Sequence, residues 1–126
     1  MSTKLMQTIV SAEYLFAAVL TALFFVVVGG FDWWWLLVFF LVFDISAFGY
    51  LASKQFGALT YNIGHSLIGP GILTVTFIAT SNPTILFIIL LWLFHIFVDR
   101  ALGYGLKHTT GFHHTHLGKI GKAKKK

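Results

Sequence analysis

Long apolar runs separated by short polar breaks dominate the pattern of hydrophobic and polar positions along the chain. A helix that spans the hydrocarbon core of a bilayer needs about 20 mostly apolar residues. The segments that meet this length cover about residues 8–28, 33–52, 57–79 and 83–106. Each must be helical, because lipid offers no partner for free backbone groups. The pattern therefore predicts an all-α membrane protein with four transmembrane helices.

The connections between these segments are short, which favours an antiparallel, up-down-up-down bundle. They cover residues 29–32, 53–56 and 80–82. Pro70 lies inside the third segment and removes one backbone hydrogen bond, so we expect a kink there. We place the transmembrane domain at residues 1–107 and a polar, basic, cytoplasmic tail at residues 108–126.

In this arrangement all 9 Lys and Arg residues fall on one side of the membrane. They lie in the N-terminal segment, the second loop, the end of the fourth span and the tail. The two opposite loops carry Asp32 as their charged residue. The positive-inside rule therefore predicts that both termini are cytoplasmic. The run from Trp33 to Trp35 then lies at the outer interface, where aromatic rings anchor helices.

Composition supports a lipid environment and narrows the possible chemistry. Hydrophobic residues make up 57% of the chain and charged residues 10%, against about 25% charged residues in a soluble domain. The formal net charge is +5, and the C-terminal Lys run is expected to contact anionic lipid headgroups and no nucleic acid. A homo-oligomer is compatible with so much apolar surface. The chain has no cysteine, which excludes disulfides, thiolate metal sites and a cysteine nucleophile.

Ionisable side chains inside the predicted spans are expensive, and they are candidates for function. At about 1.5 Å of rise per residue, they lie between roughly 8 and 15 Å from the cytoplasmic ends of their helices. They are Glu13, Asp44, His65, His95 and Asp99. This layer draws on every predicted helix, whereas the outer half of the bundle has no such residue. The shared depth indicates a polar site in the cytoplasmic half.

Two carboxylates and two imidazoles suit a divalent metal ion such as zinc, iron or manganese. We therefore predict that Asp44, His65, His95 and Asp99 are metal ligands. His95 and Asp99 are four residues apart and share a helix face. The face of Asp44 is not clear from the periodicity of its segment.

Further polar residues could complete such a site. Arg100 stands beside it and is able to pair with a carboxylate or an anionic substrate. The tail could fold back under the bundle, so that His116 closes the site as a ligand or a base. His114 and His116 could also bind metal as a pair, or belong to a solvated run.

The polar layer leaves three functions open. A metal-dependent, hydrolase-like enzyme would use the ion to activate water, with Arg100 and His116 in catalytic roles. A haem-binding electron-transfer protein would use His65 and His95 as axial ligands. A non-catalytic membrane subunit would use the layer as a structural network that fixes helix register.

Several stretches of the chain resemble a family of small bacterial membrane proteins, the domain of unknown function numbered 4260. The clearest is His95-Ile-Phe-Val-Asp99-Arg100-Ala-Leu-Gly103-Tyr104, continued by residues 105–107 and 115–118, and residues 43–50 and 57–65 resemble earlier motifs. The resemblance implies a compact four-helix domain in a bacterial inner membrane, with no activity attached. It also implies a shared polar set, which is Asp44, Asn62, His65, His95, Asp99, Arg100, Tyr104 and His116. Glu13 is a candidate by its depth alone.

Overall fold

A computed structural model describes residues 1–104, 107–108, 111–115 and 118–119. The helices are α1 (Thr3–Leu23), which continues as a π-helical turn (Phe24–Val28), α2 (Trp35–Val38), which leads into a 3₁₀ helix (Phe40–Leu51), α3 (Lys54–His65), α4 (Ile68–Thr80) and α5 (Pro83–Ala101). Three short strands follow, β1 (Lys107–His108), β2 (Gly111–Thr115) and β3 (Gly118–Lys119), paired antiparallel in the order β1-β2-β3. His116 and the terminal Lys run from residue 124 lie outside the described residues.

The described part of the chain contains 3 helices that are long and apolar enough to cross a membrane. They are Thr3–Val28, Lys54–Thr80 and Pro83–Ala101. The second predicted span corresponds to a shorter apolar helix, Trp35–Leu51. Large apolar side chains such as Ile78 are exposed along these helices, as expected where lipid surrounds the protein. These features indicate a membrane protein.

The first span begins earlier than the apolar pattern predicts, at Thr3 instead of residue 8. The side chain of Ser2 accepts a hydrogen bond from the backbone N–H of Leu5 at 3.1 Å and caps the helix. Such a cap satisfies one of the free donors of the first turn, so a helix start follows the capping residue and not the first apolar position.

The third span is broken before Pro70 and is not kinked at it. Ser66 has an extended backbone with ψ of 147°, and its hydroxyl accepts from the N–H of Ile68 at 3.2 Å, at the start of α4. Pro70 is then the third residue of a new helix. A proline is tolerated there, because the first four N–H groups of a helix have no helical partner. The break leaves His65 at the C-terminal end of α3.

The fourth span ends at Ala101, five residues before the predicted end. Gly103 has φ of 92°, and its N–H donates to the carbonyl of Arg100 at 3.1 Å. The N–H of Tyr104 donates to the carbonyl of Asp99 at 2.7 Å. These two bonds form a Schellman motif, which closes a helix where a glycine adopts the left-handed region. Asp99 and Arg100 therefore lie in the last turn of α5.

The second span keeps α geometry for one turn only and is a 3₁₀ helix over Phe40–Leu51. Side chains three residues apart line up in a 3₁₀ helix. Val42, Ile45 and Phe48 form such a row and are exposed. The row that includes Phe43 and Ser46 points inward, since both contact residues of the polar site.

An aromatic cluster fills one end of the bundle. Its buried residues are Phe25, Leu36, Leu90 and Leu91, and the rings of Phe31, Trp35, Phe39 and Phe87 pack against them. Phe25 is 0% exposed, and its ring centroid lies 5.0 Å from that of Phe31 and 5.5 Å from that of Phe87.

At the other end, the 3₁₀ helix packs closely against α3, and α1 packs against α5. Glycines allow the first of these contacts. A Cβ atom at Gly64 would lie 2.5 Å from Oγ of Ser46, and one at Gly57 would collide with the ring of Tyr50. The hydroxyl of Thr60 donates across the same interface to the carbonyl of Ser46 at 2.7 Å. This interface brings the segment of Asp44 against the segment of His65.

Candidate metal centre

Side chains from three segments meet at one point inside the bundle. Asp44 comes from the 3₁₀ helix, His65 from the end of α3, and His95 and Asp99 from α5. One ligand atom from each lies within 4.8 Å of all the others. His65, His95 and Asp99 are buried, and Asp44 is partly exposed.

The individual distances describe a small polyhedron of donor atoms. Nε2 of His65 lies 3.1 Å from Nε2 of His95, 3.2 Å from Oδ1 of Asp44 and 3.2 Å from Oδ2 of Asp99. Nε2 of His95 lies 3.2 Å from Oδ1 of Asp44 and 3.0 Å from Oδ2 of Asp99. Ligands bound to zinc at about 2.0–2.1 Å in a tetrahedron are separated by about 3.3 Å. The five distances that involve a histidine nitrogen are thus close to those that a tetrahedral ion requires, and all four donor atoms lie within 4.8 Å of one another.

The hydrogen bonds of His65 favour the tautomer that a metal needs. Its Nδ1 atom lies 3.0 Å from the carbonyl oxygen of Tyr61, which can only accept a hydrogen bond. The proton of the neutral ring therefore belongs on Nδ1, and the lone pair of Nε2 points at the cluster. A ligating histidine commonly donates its second ring N–H to a carbonyl in this way. The Tyr61 ring stacks on the imidazole at a centroid distance of 3.8 Å.

The end of α3 adds a second electrostatic contribution. The C-terminus of a helix carries partial negative charge from its unpaired carbonyls, and it favours cations. His65 is the last residue of α3, so the break before α4 places this negative end beside the cluster. Broken helices in membrane proteins use such ends to coordinate cations.

His95 is held by aromatic rings and is 0% exposed. Its ring centroid lies 4.5 Å from that of Phe40 and 5.8 Å from that of Phe43. Among the described residues its Nδ1 atom has no hydrogen-bond partner, although the backbone of Phe40 lies beside it. The rings leave Nε2 as the atom through which this imidazole reaches polar groups.

The two carboxylates differ in their access to the surroundings. The side chain of Asp99 is 13% exposed, whereas that of Asp44 is 41% exposed. Like charges this close repel each other unless a cation or a shared proton lies between them. Asp44 therefore forms the open side of the cluster, and Asp99 forms part of its buried floor.

Arg100 lies next to the cluster without joining it. Its guanidinium donates to the hydroxyl of Tyr14 at 3.0 Å and to the carbonyl of His65 at 3.4 Å, and it lies 5.3 Å from the centroid of the Tyr14 ring. Within the described part of the chain, no carboxylate forms an ion pair with this guanidinium. Arg100 is 8% exposed, so it is a buried cation held by neutral groups.

The remaining predicted site residues are not among the four grouped ligand residues. Glu13 is exposed on α1. Asn62 lines a cavity on the neighbouring face of α3, and Tyr104 is 41% exposed beyond the end of α5. His116 lies outside the described residues. Tyr14 was not among the residues predicted from the sequence. The signal that could have identified it is a phenol within an apolar helix, one residue after a carboxylate.

The spacing of the two imidazoles does not suit a haem. Axial nitrogens on opposite faces of a haem iron are about 4 Å apart, with each Fe–N bond near 2 Å, and the porphyrin lies between them. The two Nε2 atoms are 3.1 Å apart and share contacts with the same carboxylates. A single small ion fits between these rings, and a macrocycle does not.

Comparison with known proteins yields one family. Residues 7–120 match the family described as Domain of unknown function (DUF4260). No curated protein and no solved structure matches the chain. The family description names no activity.

Proposed function

This chain belongs to the family described as Domain of unknown function (DUF4260), and we propose that it is a membrane-embedded, metal-dependent enzyme of hydrolase type. The observation that carries the proposal is the convergence of one donor atom each from Asp44, His65, His95 and Asp99 within 4.8 Å. The distances of 3.0–3.2 Å around the two histidine nitrogens favour zinc. Iron and manganese use the same donor types but prefer more ligands.

Charge balance supports a divalent ion. Two carboxylates carry two negative charges, and imidazoles ligate as neutral groups. A divalent cation neutralises the four-residue cluster, which matters because an uncompensated charge is costly at low dielectric. Protonation of one imidazole would leave part of this charge unmatched. Within these four residues a divalent ion therefore balances both carboxylates, and the positive charge of the neighbouring Arg100 is left over.

The unequal exposure of the two carboxylates supports a catalytic role over a purely structural one. Structural zinc sites are closed by four protein ligands, while catalytic sites keep one position for water or substrate. His65, His95 and Asp99 are buried and form the fixed side, whereas Asp44 lies on the accessible side. We propose that Asp44 is the ligand that yields to substrate. A divalent ion at this position would supply a water activated at neutral pH.

We further propose that the site lies in the cytoplasmic half of a bacterial inner membrane. The support is the distribution of Lys and Arg, which by the positive-inside rule favours a cytoplasmic location for the start of α3 and the end of α5. Arg100, in the last turn of α5, then stands between the metal site and the cytoplasmic interface.

The test is the metal content of purified protein measured by elemental analysis after exposure to zinc, iron or manganese. We expect about one zinc ion per chain, and we expect His95→Ala to lose it because the substitution removes one of the four donor atoms. At a free zinc concentration about 1,000 times Kd, binding should stabilise the fold by about 4 kcal/mol. A thermal unfolding series with and without zinc measures this gain.

Glu13→Gln is the matched control, since it removes an exposed carboxylate of the same predicted layer. It should keep both the zinc and the thermal gain. If the unmutated protein bound none of the three ions, the metal centre would be refuted. The structural-network alternative predicts this result, with His95→Ala changing stability alone.

A further inference from the structure

A cavity of about 340 Å³ opens at the break between α3 and α4. Its walls are mostly apolar and include Ile63 and Ile72, with the ring of Trp92 from α5. Asn62 and Ser66 also line this cavity. The helices that form it are long and apolar enough to cross a membrane. An apolar groove at that depth is in contact with hydrocarbon chains and not with water.

Two residues that line the cavity are close neighbours of proposed metal ligands along the chain. Ser66 follows His65 directly, and Trp92 precedes His95 by three residues, or about 4.5 Å along the helix axis. The indole N–H of Trp92 donates to the carbonyl of Gly64 at 2.6 Å. Its ring stacks on Phe43, the neighbour of Asp44, at a centroid distance of 5.4 Å. A molecule in the groove therefore lies within about one helical turn of both histidines.

With a divalent ion bound, the net charge of the metal centre indicates the charge of the head group that such a molecule must have. A divalent ion is balanced by Asp44 and Asp99, so the positive charge of Arg100 remains unmatched. Its described contacts are with the neutral Tyr14 hydroxyl and the carbonyl of His65. A guanidinium binds phosphate or carboxylate in a bidentate manner. The metal-loaded site thus favours one anionic group.

Resting on the proposed metal function, we infer that the substrate is an anionic amphiphile with a phosphate or carboxylate head. The head binds at the metal and Arg100, and the hydrocarbon chain lies in the groove between α3, α4 and Trp92. The helix break makes this arrangement possible, because it opens the groove and ends α3 at His65 in the same place.

Thermal unfolding of the intact, zinc-loaded protein in a neutral detergent tests this inference. The probes are dodecyl phosphate, dodecanol and inorganic phosphate. We expect saturable stabilisation by dodecyl phosphate, with an apparent Kd at least about tenfold below that of either other probe. Arg100→Gln should weaken dodecyl phosphate binding about tenfold and leave dodecanol unchanged.

Two tryptophan variants distinguish binding of the hydrocarbon chain in the groove from general effects of detergent on the protein. Ile72→Trp fills the groove and should weaken dodecyl phosphate binding about tenfold. Val75→Trp adds the same ring to an exposed position outside the cavity and should have no effect. Both positions are exposed on α4, so neither variant disturbs the buried core.

Zinc content, measured on the same samples, keeps the two proposals distinct. Zinc-loaded protein that binds dodecanol as tightly as dodecyl phosphate would overturn this inference and leave the metal function standing. Equal binding by Ile72→Trp and Val75→Trp would overturn it as well. Failure to bind zinc would overturn the metal function, and the inference that rests on it.

Discussion

Phe25 and His95 are both completely buried, yet they fill the two ends of the bundle in different ways. Phe25 lies among other rings, with Phe31 and Phe87 within 5.0 and 5.5 Å of its centroid. His95 presents one nitrogen to a histidine and two carboxylates at 3.0–3.2 Å. At the aromatic end the side chains need only to fit together in shape. At the polar end they must also be oriented correctly and be balanced in charge.

This difference indicates that the aromatic end contributes to fold stability, whereas the polar end contributes to metal binding. Lipid is as apolar as a phenylalanine ring, so helices in a membrane associate through close packing and polar contacts. The aromatic end supplies apolar packing, which does not require hydrogen bonds in particular directions. The polar end contains groups that are costly without a partner, and it gains from a bound cation. Substitutions at the two ends should therefore separate fold stability from metal binding.

The largest effect on stability is expected for Phe25→Ala at the aromatic end. The lost ring leaves a cavity lined by Phe31 and Phe87, and such a change costs about 3 kcal/mol. Thermal unfolding in detergent measures this loss, and the zinc content of the folded fraction should stay at the unmutated value. Val27→Ala, at a neighbouring position that is 75% exposed, should cost no more than about 0.5 kcal/mol. Loss of zinc by folded Phe25→Ala protein would contradict this separation of fold stability from metal binding.

An intermediate effect is expected for Gly64→Ala, which lies at the polar end. The new Cβ atom would lie 2.5 Å from Oγ of Ser46, and overpacking of this kind costs about 2 kcal/mol. Because Ser46 lies 3.4 Å from Nδ1 of His65, zinc affinity should fall together with stability. A zinc titration followed by unfolding measures both quantities.

Gly71→Ala is the matched control, because a Cβ atom at Gly71 would have nothing within 4 Å. It should leave zinc affinity unchanged and raise stability slightly, since alanine favours helix. Equal zinc affinities in Gly64→Ala and Gly71→Ala would show that the 3₁₀ helix does not position the centre.

The smallest effect is expected for Tyr14→Phe. It removes the hydroxyl that accepts from Arg100 at 3.0 Å and keeps the ring beneath the guanidinium. The loss of one such hydrogen bond from a charged donor should cost about 1.5 kcal/mol in thermal unfolding. Zinc stoichiometry should be unchanged, because Tyr14 is not a ligand. A zinc-free Tyr14→Phe protein would place Arg100 within the metal centre itself.

The four residues of the cluster could be singled out from the sequence because charged groups are rare in apolar segments. Glu13 was singled out by the same argument and is exposed on α1. The helix ends were less predictable. Gly103 closes α5 through backbone hydrogen bonds, and the apolar pattern that continues past Ala101 conceals this end.

The position of Asp44 illustrates why the rest could not be predicted. Its face was unclear because α-helical periodicity of 3.6 residues does not describe its segment. The exposed row of Val42, Ile45 and Phe48 repeats every three residues, which fits the 3₁₀ geometry of Phe40–Leu51. A search for that shorter period would have placed Asp44 off the lipid-facing row. Arg100 and Tyr14, 86 residues apart, meet only through the packing of α1 on α5.

The 3₁₀ geometry also determines how long the segment Phe40–Leu51 is. Its 12 residues rise about 2.0 Å each and extend about 24 Å, whereas an α-helix of the same length would extend about 18 Å. With the α-helical turn before it, the segment Trp35–Leu51 extends about 30 Å, which equals the hydrocarbon thickness of a typical bilayer. The 3₁₀ geometry thus makes Phe40–Leu51 about 6 Å longer than an α-helix of the same residues, at the cost of poorer backbone hydrogen-bond geometry around Asp44.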